Sequence, residues 1–345
     1  MTVAPLRKDD FAMKDEIATP LDASLAVPAS APEPAQAAAD LTPAPRRRLM
    51  PEAVKLPSPR EAFQAGWPPL VGIAGFLGLW AVLAPLVHTS LGTLPGPGDV
   101  WTAFTGLMTE FAAARADAAA AEAAGGTWTG APTFVDQIFT SLRTVGMGFV
   151  LASIVAVPLG LVAGMSKTFN AAINPLVQVM RPISPLAWLP IVTMVVSASM
   201  TSEDPSMSKS FVVSAVVVML CSLWPTLINT AIGTASIDRD LINVGRVLKL
   251  SWAQRLTKLV LPSALPFIFT GMRLSLGVGW MVLIAAEMLS QNPGLGKFVW
   301  DEFQNGNEQS LARIMVAVFT IGLIGFALDR IMMALQAFAS RNRTI

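Results

Sequence analysis

The sequence predicts an all-α membrane protein with six transmembrane helices, and three observations carry that prediction. First, the chain of 345 residues is 53% hydrophobic and only 14% charged, with a mean hydropathy of +0.57, too apolar for an ordinary soluble domain. Second, six apolar segments lie near 67–88, 139–164, 183–200, 211–232, 267–289 and 312–335. Each is long enough, at about 1.5 Å per residue, to cross a hydrocarbon core about 30 Å thick. Third, the basic residues are asymmetric. With the N-terminus inside, eighteen of the 24 Lys and Arg fall on the inner side, and only Arg115, Lys209 and Lys297 fall outside. The positive-inside rule therefore predicts that both termini and the loops at 165–182 and 233–266 are cytoplasmic.

Residues 1–60 form a tail rich in Ala and Pro, SLAVPASAPEPAQAAADLTPAP at its centre, with no apolar run that would serve as a signal-peptide core. This composition predicts a disordered cytoplasmic segment ahead of a membrane domain spanning 61–340. Arg46, Arg47, Arg48, Lys55 and Arg60 precede the first span, and their juxtamembrane place accounts for them through lipid contact without nucleic acid. The external loop at 89–137 opens with LPGPGDVWTAF, a turn leading into an amphipathic helix. It continues with the low-complexity run FAAARADAAAAEAAGG, which either extends that helix or stays mobile.

In the second span Gly146, Gly148, Ser153, Gly160 and Gly164 allow close helix approach, and Arg143 near the outer end is placed to snorkel toward headgroups. The third segment is dense in proline, with Pro175, Pro182, Pro185 and Pro190 close together. Backbone groups freed by such breaks are tolerated at membrane depth only against protein or a water-filled path, so Ser184 and Trp188 are candidates to line that path. The fifth span adds Ser275 and Trp280 as further path candidates. Gly271, Ser275 and Gly279, spaced by four, give it one nearly bare face. Glu287 near its outer end is a functional candidate by default, because a carboxylate inside a span is costly. Arg273 is placed to snorkel toward the inner surface.

Between the fourth and fifth spans lies an island at 238–266, DRDLINVGRVLKLSWAQRLTKLVLPSALP, with two acids against five bases. Leu241, Val244 and Leu248, then Trp252, Leu256 and Leu259, recur at helical spacing and predict two short amphipathic helices meeting near Ser251. Leu261-Pro262 and Pro266 are expected to end the second. This island resembles the EAA loop of ABC importer permeases: Glu-Ala-Ala, three residues, Gly, nine residues, Ile, one residue, Leu-Pro. In ungapped register Asn243-Val244-Gly245 stand at Glu-Ala-Ala, Lys249 at Gly, Leu259 at Ile, and Leu261-Pro262 match outright. Together with LPGPGDVW, RPISPLAWLP, NVGRVLKLS, AAEML and FVWDEF, it is similar to the nitrate, nitrite and cyanate branch, related to sulfonate and taurine permeases.

The resemblance covers about residues 65–335 and implies a type I ABC importer permease fold with a cytoplasmic EAA-like coupling loop, in a bacterial inner membrane. It further implies that Asn243, Gly245, Arg246, Leu248, Lys249, Ser251, Trp252, Leu261 and Pro262 belong to a coupling element docked on a separate ABC ATPase subunit. Partners follow in the same way: a periplasmic or lipid-anchored substrate-binding protein, and a second copy of the chain. Ala286-Glu287 followed by Gly294-Leu295-Gly296 also looks like a feature of these permeases, which implies for Glu287 an outer-gate or packing role more than substrate recognition. Nitrate or nitrite is the implied cargo, with sulfonates, taurine, bicarbonate and cyanate served by close relatives.

The missing motifs agree with a non-catalytic chain. No GxxxxGK[ST] occurs, so the chain lacks a phosphate-binding loop of that kind. A single His and a single Cys leave no nucleophile, base and orienter set, and imply no metal and no cofactor. An ion-coupled carrier would call for mid-membrane carboxylates and an internal repeat. A redox anchor would call for His pairs or Cys clusters.

Overall fold

The computed structural model describes residues 59–89, 92–200 and 207–341. The Ala/Pro-rich tail predicted for 1–60 lies almost wholly outside them. The chain divides into Met1–Ala65 and Gly66–Ile345, and apart from the first residues of α1 the second unit holds everything described below.

Helix α1 (Pro59–Leu83) leads through a 3-10 turn, Ala84–Leu86, into a two-stranded hairpin, β1 (His88–Thr89) and β2 (Gly92–Thr93). Then follow α2 (Pro97–Ala123), α3 (Phe134–Met165), α4 (Lys167–Met180), α5 (Pro185–Ser199) and α6 (Lys209–Ala235). The short α7 (Arg239–Val247) and α8 (Trp252–Arg255) precede α9 (Leu261–Ser290), α10 (Leu295–Asn305) and α11 (Glu308–Arg341). Among the described residues five helices are long and apolar enough to cross a membrane, or six if the bent pair α4 and α5 is one span.

The core is built on α6, which packs between α3 and α9. Small residues on both neighbours permit it. A Cβ on Gly160 of α3 would lie 2.6 Å from the Thr230 Cβ and 2.8 Å from the Leu227 carbonyl. One on Gly271 of α9 would lie 2.8 Å from the Asn229 Cβ and 3.0 Å from the Pro225 carbonyl. Gly148 and Gly164 also face α6, whereas Gly146 faces open space. The glycine faces predicted for the second and fifth spans thus share one partner, and Val217 and Val218 of α6 are fully buried between them.

Three expectations change. Residues 183–200 do not make a full straight span: α5 has only 15 residues, about 22 Å of helix. It meets α4 at 101°, because Pro182 and Pro185 flank the break and proline removes a helix hydrogen bond. The predicted inner loop at 165–182 is accordingly mostly helix. The alanine-rich external run takes one of its two expected forms, extending the amphipathic helix as the second half of α2. Leu261-Pro262 and Pro266, expected to stop a helix, lie at its start and inside it. A π-helical turn, Leu256–Val260, joins α8 to α9, with the Leu261 N–H bonded to the Leu256 carbonyl. Its wider ring accommodates the missing amide and the bulk of Pro262 ahead. Residues 252–290 therefore run on as one 39-residue rod.

Candidate functional site

The island between α6 and α9 folds by local rules visible in its residues. Asp238 caps α7, accepting from the Asp240 N–H at 2.9 Å. Asp240 sits in the first turn and Arg246 in the last, as the helix dipole favours. The helix closes with paired bonds from the Leu250 N–H to the Gly245 carbonyl, 3.0 Å, and from the Lys249 N–H to the Arg246 carbonyl, 2.9 Å. This closure needs a left-handed residue between them, and Lys249 supplies it with φ 48°. Ser251 then caps α8 reciprocally with Gln254, at 3.3 and 3.0 Å.

These turns sort the side chains. Gly245 is buried against this chain: a Cβ there would lie 2.7 Å from Leu259 and 3.8 Å from Leu250. The Arg255 stem packs over the same glycine and its Nε is buried with no hydrogen-bond partner. Facing the other way, Val247 is 81% exposed, Leu248 65% and Trp252 62%. Val244, Asn243, Arg246 and Lys249 are exposed beside them, with the Arg246 guanidinium 3.5 Å from Asn243 Oδ1. Leu261 and Pro262 are half-buried where the rod enters the helix packing. The sequence reading omitted Val247, although it lies one turn from Val244 on the same face.

The five path candidates separate. Ser184 caps α5, accepting from the Leu186 N–H at 3.3 Å, and is exposed; Trp188, one turn on, is half-buried. The other three are buried in contacts within the chain. Ser275 has zero exposure, bonds Thr226 Oγ1 at 2.7 Å and donates to the Ser222 carbonyl. Trp280 donates its indole N–H to the Ile321 carbonyl of α11 at 3.0 Å.

Glu287 also has zero exposure. Ser141 Oγ of α3 lies 2.9 and 2.8 Å from its two oxygens, and the Gly296 N–H donates to Oε2 at 3.0 Å. Ser141 in turn accepts from the Leu295 N–H at 2.9 Å. The carboxyl therefore lies at the N-terminus of α10, where the helix dipole favours an acid. A Cβ on Gly294 would overlap it, which accounts for the GLG run. The arrangement locks α3, α9 and α10 together. Nothing in the local pattern singles out Ser141; the run Gly294-Leu295-Gly296 is the available signal.

Two arginines find partners that sequence reasoning did not assign. Arg273 grips Asp329 of α11 with two bonds, 2.5 and 3.0 Å, instead of snorkelling alone. Arg313 of α11 joins Glu110 of α2 to Glu302 of α10, the latter at 2.9 Å. Arg143 lies over the Phe211 ring, 4.8 Å from its centroid. Among the described residues no cluster of His, Cys, Asp and Glu is arranged to hold a metal ion.

Residues 156–342 match the family described as binding-protein-dependent transport system inner membrane component. The chain is 39% identical over 195 residues to the nitrate import permease protein NrtB of Synechococcus elongatus, covering 56% of this chain and 66% of that one. It is 38% identical over 201 residues to NrtB of Synechocystis sp., covering 58% and 68%. It is 36% identical over 275 residues to the bicarbonate transport system permease protein CmpB of Synechococcus elongatus, covering 79% and 89%.

Proposed function

Because the chain belongs to the family of binding-protein-dependent transport system inner membrane components, we propose that it is the membrane permease subunit of an ATP-driven importer for a small planar oxyanion, nitrate first. The observation that carries this reading is the outer face of α7 and α8. Val247, Leu248 and Trp252 project unpaired from a basic loop, and an apolar cluster rimmed by charge is the form of a protein-docking site. Its partner is an ATPase subunit, since this chain has no phosphate-binding loop. The permease itself is not an enzyme.

Transmission follows from the connections on the other side of the same element. Leu259 and Leu250 sit on Gly245, so α7 is keyed to the π turn, and the π turn continues into α9. A displacement of α7 by an ATPase is delivered along a single rod into the α6 and α9 packing. Asn243, Arg246 and Lys249 form the rim of the docking face, while Gly245, Arg255, Leu261 and Pro262 serve the key and the rod. Ser251 fixes the angle between α7 and α8. On the opposite side, α2, the hairpin and α10 receive the binding protein. The exposed face of α5 with Ser184 and Trp188 lines the path, and Ser275, Trp280 and Glu287 hold the helices that border it. In this reading both termini are cytoplasmic, the membrane is the bacterial inner one, and two copies complete the path.

Nitrate is favoured by the likeness to the two NrtB proteins and bicarbonate by that to CmpB, which extends over more of the chain. The test is substrate-stimulated ATP hydrolysis in complexes reconstituted with the ATPase and binding protein, carrying Leu248→Asp or Gly245→Glu. Loss of a central anchor costs about 2 kcal/mol or more, some thirtyfold in docking affinity, so stimulation is expected to vanish while insertion and binding-protein docking persist. Wild-type stimulation in both variants sinks the coupling role, and stimulation by bicarbonate but not nitrate reverses the choice of anion.

A further inference from the structure

Between α9 and α11 a cavity of about 210 Å³ runs beside Gly277, Trp280, Met281 and Leu328 and ends at the Arg273–Asp329 pair. Arg273 lies six residues from the inner end of the predicted fifth span and Asp329 six from that of the sixth, about 9 Å into the membrane on both helices. The two side chains keep 38% and 33% of their surface exposed in the single chain. Charges at that depth do not face hydrocarbon; they face water or protein. This face of α9 and α11 is therefore turned toward water or protein, and the path proposed above supplies both.

Arg273 and Asp329 balance each other in the cavity lining, and a second cation, Arg330, stands just outside it. The Arg330 Nε lies 4.0 Å from the second oxygen of Asp329 and its guanidinium stacks on Phe326, 4.7 Å from the ring centroid. Two guanidinium groups share one carboxylate, a surplus that one small anion would neutralise. Arg273 holds Asp329 through a two-pronged contact to a planar pair of oxygens, and nitrate and bicarbonate present the same planar pair. The carboxylate thus stands in for such an anion.

Resting on the oxyanion reading above, we propose that Arg273, Asp329 and Arg330 form an anion-exchange site at the inner end of the path. The travelling oxyanion takes the Arg273 fork, Asp329 turns to Arg330, and release toward the cytoplasm follows when Asp329 returns. The resident carboxylate keeps the site from trapping its cargo.

Two measurements test this. In reconstituted complexes, Arg273→Gln with Asp329→Asn keeps polar groups of similar shape between the helices but removes the charge. ATP-driven uptake of labelled nitrate is expected to fall about tenfold or more, the scale of a lost charge-assisted hydrogen bond, with complex assembly unchanged. Uptake at the wild-type rate would overturn the site and reduce the pair to a helix staple. The second measurement does not depend on that variant folding. Gly277→Cys, at a position where a Cβ meets nothing within 4 Å, is combined with Cys221→Ala. The new thiol is expected to react with a small water-soluble reagent, more slowly as nitrate is added, and to lose that protection when Arg273→Gln is present. No reaction, or reaction indifferent to nitrate and bicarbonate, overturns the proposal. Wild-type complexes that move no oxyanion overturn the functional reading, and the inference with it; wild-type uptake beside an unimpaired double variant removes the inference alone.

Discussion

Lys249 holds φ 48° where an L side chain is disfavoured by about 1–2 kcal/mol relative to right-handed backbone. The ungapped register that set Lys249 opposite the glycine of the EAA pattern therefore located a real conformational demand. It was silent on how the chain meets that demand, which depends on the two closing bonds to Gly245 and Arg246. Glu287 is the opposite case: its cost was legible, its remedy was not, because Ser141 lies 146 residues away. Removing the carboxyl strands the Gly296 N–H and the Ser141 hydroxyl, each costing about 1–3 kcal/mol when buried unpaired. Glu287→Ala is expected to lower the thermal midpoint of the purified complex clearly, and Glu287→Gln, which keeps an acceptor at the same place, much less. Equal midpoints for the two variants would contradict the lock.

At the scale of elements, hydrophobic spans and the two short helices meeting near Ser251 were legible because their periodicity is local. Prolines misled. Pro262 and Pro266 are breakers in an isolated helix, but the π turn at Leu256–Val260 carries the chain past the first. Pro182 and Pro185 do break theirs, by 101° between α4 and α5. Whether a proline ends, bends or merely widens a helix depends on what packs around it, and that is not written locally. The π turn makes its own prediction. Deleting Thr257 would remove its extra residue and rotate α7 by about 100° relative to α9. The variant is expected to insert and assemble normally while loaded binding protein no longer raises ATP hydrolysis. Unaltered stimulation would show that α7 and α9 are not rigidly keyed.

For the whole molecule, the charge asymmetry and the glycine faces were enough to foresee a membrane-spanning, closely packed helical unit. The ion pairs that tie its helices were not foreseeable, since Arg273 and Asp329 or Arg313 and Glu110 meet only once the helices are packed. The apolar face of α1, with Leu70, Leu79 and Val82 at 67, 60 and 66% exposure, is accounted for by lipid. The part-exposed charges on α9 and α11 are not, and on the reading proposed above a second copy closes the path beside them. Mass measurement of the intact complex is expected to give two copies of this chain. One copy beside a different permease would exclude the closed pair.

The bridges that hold α2 lie at the surface: Arg115 to Asp136, with side chains 62% and 30% exposed, and Arg313 to Glu110, with 28% and 57%. Exposed pairs are screened by dissolved ions, whereas glycine-mediated packing is indifferent to them. Ionic strength therefore acts on the ion pairs of α2 and leaves the glycine-mediated packing of α3, α6 and α9 untouched. On the orientation proposed above, a cell moving from fresh to brackish water would slacken the ionic ties of α2, while Leu107 and its apolar neighbours keep the helix seated.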